Sequence, residues 1–109
     1  MVQNRFREAF ESGSFVVSVE AVPGRGAVEP AQIKTLEEAV EIWNTGLVDA
    51  ISITDSPSGT PALLADSFAA DLLSRGIVPL VHMTCKDRNR NQIESQLYGM
   101  QRVGIENLL

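Results

Sequence analysis

The 109-residue chain has one cysteine, one histidine and few aromatic residues, and these scarcities exclude several kinds of protein. Cys85 alone cannot close an internal disulfide, so the core rather than covalent staples must hold the fold, and the cytoplasm is the expected compartment. His82 and Cys85, with Asp87 nearby, are residue types that zinc accepts, but no second histidine or cysteine completes the set and no metal is expected. No apolar run approaches the roughly 20 residues of a membrane helix. Met1 is followed by Gln3, Asn4 and Arg5 rather than by the apolar stretch of a signal peptide. Basic residues are few: nine against fourteen acidic ones, for a net charge of −5, and scattered apart from Lys86, Arg88 and Arg90. Nothing there offers a surface for phosphates, so nucleic acid is not an expected partner.

What the chain does have is the composition of a folded protein: 44% hydrophobic and 21% charged residues, enough apolar surface to build one domain over residues 1–109. Phe6 and Phe10 share one face of a short helix over Asn4–Glu11, stopped by Gly13. Phe15 to Val19 is a β-branched and aromatic run, which predicts a strand buried on both faces and ending at Glu20. A loop through Pro23, Gly24 and Gly26 leads to a helix that starts at Pro30, carries Ile33, Leu36, Val40 and Trp43 at helical spacing, and ends at Gly46.

The pattern then recurs. Val48 to Thr54 reads as a second buried strand, followed by the turn residues Asp55 to Gly59. Thr60 is a candidate N-cap and Pro61 a candidate first helical residue, ahead of a stripe of Leu64, Phe68 and Leu72 that Gly76 closes. Ile77 to Val81 predicts a third strand ending at His82, with Pro79 removing one ladder donor. A helix from about Asn89 follows, with Gln92 placed for capping and Ile93, Leu97 and Met100 as its buried stripe. After Gly104, Ile105 to Leu109 starts a fourth strand.

Strand and helix thus alternate with a period of about 30 residues, the mark of right-handed βαβ units and a parallel sheet. A doubly wound sheet and a closed barrel both satisfy that pattern, but Gly24-Arg25-Gly26 is too short for a dinucleotide fingerprint. Glu20, Thr54 and His82 at the carboxyl ends of successive strands favour the first part of a parallel (β/α)8 TIM barrel, whose sites are built from those ends. Glu20 closes an apolar run, which would withdraw its carboxyl partly from water and suit it to donate a proton. Ser56 to Thr60 reads as a turn with a cap rather than an anion site, and Asp87 or Asn89 as a cap for the next helix.

Phe15 to Glu20, then Ile51-Ser52-Ile53-Thr54-Asp55-Ser56, then His82-Met83-Thr84-Cys85-Lys86-Asp87-Arg88-Asn89-Arg90, then Gly104-Ile105-Glu106-Asn107-Leu108-Leu109 together resemble the methylenetetrahydrofolate reductase family. The third segment is the most specific. The resemblance implies an oxidoreductase that reduces 5,10-methylenetetrahydrofolate to 5-methyltetrahydrofolate through a flavin, FAD or another, with NAD(P)H or another electron donor. By position Glu20 matches the general acid that protonates the folate, while Thr54 and His82 match residues that contact the flavin; Thr84 and Asp87 acquire no role. The resemblance also implies that the chain is the N-terminal part of the barrel domain, and a homo-oligomer is expected.

Two departures stand out: Ala21-Val22-Pro23-Gly24 replaces the aromatics and paired prolines of many members, and Asp55-Ser56 replaces a Tyr-Gly pair, as in the branch found in bifunctional methyltransferase-reductases. A second reading is a shortened relative that serves as a binding or assembly module without catalysis. A third is a metal-dependent barrel using His82, Cys85 and Asp87.

Overall fold

A computed structural model describes residues 2–109. Its elements alternate as the sequence pattern requires: helix α1 (Arg5–Glu11), strand β1 (Ser18–Ala21), helix α2 (Pro30–Asn44), strand β2 (Ala50–Ile53), helix α3 (Ala65–Leu73), strand β3 (Pro79–Val81) and helix α4 (Arg90–Val103). The strands form one parallel sheet in the order β1-β2-β3. Beyond β3, Leu108 bridges Val81 in parallel, and Leu109 donates its N–H to the Val81 carbonyl at 2.9 Å. The expected fourth strand is therefore present as a single bridge. This is an α/β architecture of the kind that forms one sector of a parallel barrel.

Alternation along the strands separates two faces. On one, Val19, Ala21, Ile51, Ile53 and Val81 meet Ala39 of α2, Phe68 and Leu72 of α3, and Met100 of α4 in the main core. The other face is covered only at its amino end, where Ala50, Val78 and Leu80 pack against Val2, Phe6 of α1 and Trp43. Its carboxyl end carries the polar side chains Ser52, Thr54 and His82.

Several boundaries differ from the sequence reading. The first strand starts at Ser18, not Phe15, which is 91% exposed; its one buried residue is Ala21, so β1 is not buried on both faces. The reason is its place at the sheet's edge, and the preceding Val17 is held instead by Asp49, which accepts its N–H at 2.9 Å and donates its own N–H to the Val17 carbonyl at 2.7 Å. In α2, Ile33 is 54% exposed, while Leu36, Val40 and Trp43 pack inward. Its start is fixed by a capping box in which the Gln32 side chain accepts the Glu29 N–H at 3.1 Å.

Thr60 does not cap α3 and Pro61 does not begin it. The 3-10 turn Pro57–Gly59 comes first, and Leu63 then donates its N–H to the Gly24 carbonyl at 2.8 Å, which holds this stretch extended against the β1 loop until Leu64. The buried stripe of α3 is Ala65, Phe68, Ala69 and Leu72, with Leu64 outside it. Pro79 is the first residue of β3, beside Ile51, a position where a missing donor is tolerated, and its carbonyl accepts from Asn107 Nδ2 at 3.2 Å. Asn89 caps α4, accepting the Gln92 N–H at 2.9 Å, and Gly104 closes it in the left-handed region at φ 94°. Of the expected α4 stripe only Met100 is fully buried. Among the described residues no helix is long and apolar enough to cross a membrane.

Candidate active site

Register decides which polar residues share the face that the helices leave open. Glu20, Ser52 and Leu80 lie side by side across the three strands. The ladder continues past the strand ends, with the Thr54 N–H donated to the Ala21 carbonyl at 3.2 Å and the His82 N–H to the Ile53 carbonyl at 3.0 Å. Alternation therefore puts Thr54 and His82 on that same face, two residues nearer the carboxyl end than Glu20 and Ser52. The three residues singled out in the sequence are not level: Glu20 aligns with Ser52 rather than with Thr54.

The structure brings two of the three together. Thr54 and His82 line one cavity of about 270 Å³ at the strand ends, with Met83, Thr84 and Leu109. Thr54 Oγ1 is buried without a hydrogen-bond partner. His82 is half-buried, and its Nε2 lies 2.5 Å from Ser52 Oγ. Glu20 does not line this cavity and is exposed, against the expectation that it would be partly withdrawn from water. It belongs to the edge strand, so water reaches it.

A larger cleft of about 480 Å³ opens between the loops that follow β2 and β3. Its wall is a buried ion pair: Arg88 Nη1 lies 2.7 Å from Asp55 Oδ2, with the two side chains 10% and 7% exposed. Asp55 Oδ2 also accepts the Thr84 N–H at 2.8 Å, and Arg88 Nε donates to Gln96 Oε1 at 2.9 Å. Ser56, Ser58 and Asp87, the described non-glycine residues with positive φ at 45°, 60° and 62°, all line this cleft. Such backbone costs about 1–3 kcal/mol per residue and persists where surrounding contacts impose it, as at functional mouths. The lysine here, Lys86, is held by Asp87 at 2.6 Å on the surface, so both nearby cations are matched by carboxylates.

Among the described residues no three metal-binding side chains converge; Cys85 is exposed and Asp87 pairs with Lys86. Ser52, Asp55 and Arg88 were absent from the sequence-based candidates. Ser52 had a signal, a lone hydroxyl between Ile51 and Ile53 in an apolar strand. The Asp55–Arg88 pair had none, since 33 positions separate its members.

Set against known families, residues 5–109 match the family model described as methylenetetrahydrofolate reductase. No curated protein matches the chain.

Proposed function

We propose, from the premise that the chain belongs to the methylenetetrahydrofolate reductase family, that it forms part of a cytoplasmic flavoenzyme reducing 5,10-methylenetetrahydrofolate to 5-methyltetrahydrofolate. On this reading its sheet is one sector of a (β/α)8 barrel with the site at the carboxyl ends of the strands. The observation that carries it is the buried, unpartnered Thr54 hydroxyl beside His82 in one cavity. A buried hydroxyl left unpaired costs about 1–3 kcal/mol, a cost that a ligand atom reaching it would remove.

The residues present fit a flavin. A hydroxyl and an imidazole suit the neutral donor and acceptor edge of an isoalloxazine ring. A bound flavin would supply the hydride chemistry that no side chain here can perform. Thr54 and His82 would hold it, and Glu20, one level below on the same face, would deliver a proton to the folate. The folate itself would then supply the cover that takes the Glu20 carboxyl out of water. NAD(P)H or another donor would provide the electrons.

One observation favours the second reading, a binding module without catalysis: Glu20 is exposed and stands outside the Thr54–His82 cavity. Titration of the chain with FAD, followed by flavin fluorescence, tests the cofactor site of the first reading. Saturable quenching that weakens in His82→Ala, with unchanged helicity, supports the site. A chain that never quenches FAD, or a His82→Ala variant that binds it as well, overturns it. Turnover of methylenetetrahydrofolate then separates the enzyme from the binding module.

A further inference from the structure

Ser52 and His82 are joined across neighbouring strands by a hydrogen bond whose direction the structure allows to be worked out. Ser52 is only 7% exposed, and its hydroxyl has His82 Nε2 as its hydrogen-bond partner among the described residues. A hydroxyl carries one donor and two acceptor sites, and a neutral imidazole carries one of each, on different nitrogens. If Nε2–H donated to Ser52, the buried hydroxyl hydrogen would be left without an acceptor. If Ser52 donates to Nε2, every donor at the contact is used and only lone pairs remain unpaired, the milder deficit. Glu20, level with Ser52 on β1, accepts no hydrogen bond from it; its exposed carboxylate is solvated instead.

We propose that Ser52 is a positioning residue that holds His82 as the Nδ1–H tautomer, so that the imidazole offers a hydrogen-bond donor, not an acceptor, to whatever occupies the strand-end cavity. Nδ1 has no protein partner among the described residues, which leaves that donor free. It selects for a ligand presenting an oxygen or an unprotonated ring nitrogen. The significance for a flavin rests on the function proposed above, whereas the tautomer itself rests only on the hydrogen bond.

The chain's one histidine makes the test direct. Long-range proton–nitrogen correlation spectra of the nitrogen-labelled, ligand-free protein at pH 8 report which ring nitrogen carries the proton. The expected result is Nδ1 protonated and Nε2 bare in the wild type, loss of that preference in Ser52→Ala, and its return in Ser52→Thr, which restores the hydroxyl. A wild-type spectrum with Nε2 protonated, or one unchanged by Ser52→Ala, overturns the proposal. Should Ser52→Ala fail to fold, the wild-type and Ser52→Thr spectra still decide. FAD titration of the same samples keeps the two ideas apart: an Nδ1–H tautomer in a protein that ignores FAD leaves Ser52's role standing and removes the flavin reading. With both correct, Ser52→Ala raises the FAD dissociation constant about tenfold, one hydrogen bond's worth.

Discussion

Arg88 and Asp55, 33 positions apart, meet as a nearly buried ion pair that ties the loop after β3 to the loop after β2. Withdrawing two charges from water is costly, so such a pair is weak evidence of net stabilisation, but removing one member strands the other. The prediction is that Arg88→Ala lowers unfolding free energy by about 3 kcal/mol, while Asp55→Ala with Arg88→Ala loses less than the sum of the single changes. Urea unfolding of the four proteins measures this. Additive losses would mean that the pair does not act as a unit.

Glu20 faces solvent, so Glu20→Gln should shift stability by no more than about 0.5 kcal/mol. On the function proposed above its effect belongs to the chemistry: in a protein that turns over methylenetetrahydrofolate, folate reduction should fall at least about a hundredfold while reduction of the flavin by its electron donor stays near wild type. Rapid-mixing measurement of each half-reaction distinguishes the two steps. An equal loss in both would remove Glu20 as the proton donor and return weight to the binding-module reading.

The sequence was most informative where one physical requirement acts locally. Pro30, Asn89 and Gly104 mark helix ends through φ restriction and capping, and the structure has them there. It was least informative where a distant partner decides. Phe15 has the side chain of a strand residue but lies beside an edge with nothing to cover it, and Thr60 looks like a cap until Leu63 is drawn to the Gly24 carbonyl. Thr54 and His82, which the structure brings to one cavity, were legible as candidates because each sits at the carboxyl end of a predicted strand. Glu20 was legible as a candidate, but its level relative to Thr54 depends on strand register, which apolar runs of this length do not specify.

Strand β1 pairs with β2 on one side and with no described strand on the other, and Phe15, just before it, is 91% exposed. An uncovered edge flanked by a large apolar side chain recruits further chains. The expectation is concentration-dependent association of the purified 109-residue chain in sedimentation velocity, reduced by Phe15→Lys together with Ser18→Lys, which place charge at that edge. A monomer at all concentrations would show that the edge is already protected, and association unchanged by the two lysines would move the contact elsewhere.

Thr54→Val gives the sharpest separation of stability from function. The substitution keeps β-branching and nearly the same shape, and it replaces a hydroxyl that is buried with no partner. A hydroxyl needed only for packing would make Val neutral or harmful, whereas an unpaired one held in place for a ligand makes Val stabilising. The ligand-free Thr54→Val protein should therefore unfold with about 1 kcal/mol more stability than wild type, because the desolvation penalty of the orphaned group is gone. The same change should weaken FAD binding about tenfold, since the hydroxyl that the cofactor would satisfy is absent. Opposite signs in the two measurements mark a binding group maintained at the expense of the fold. A variant that loses stability and binds FAD as tightly as wild type would show that the Thr54 hydroxyl serves the fold instead, and would take away the observation on which the cofactor site rests.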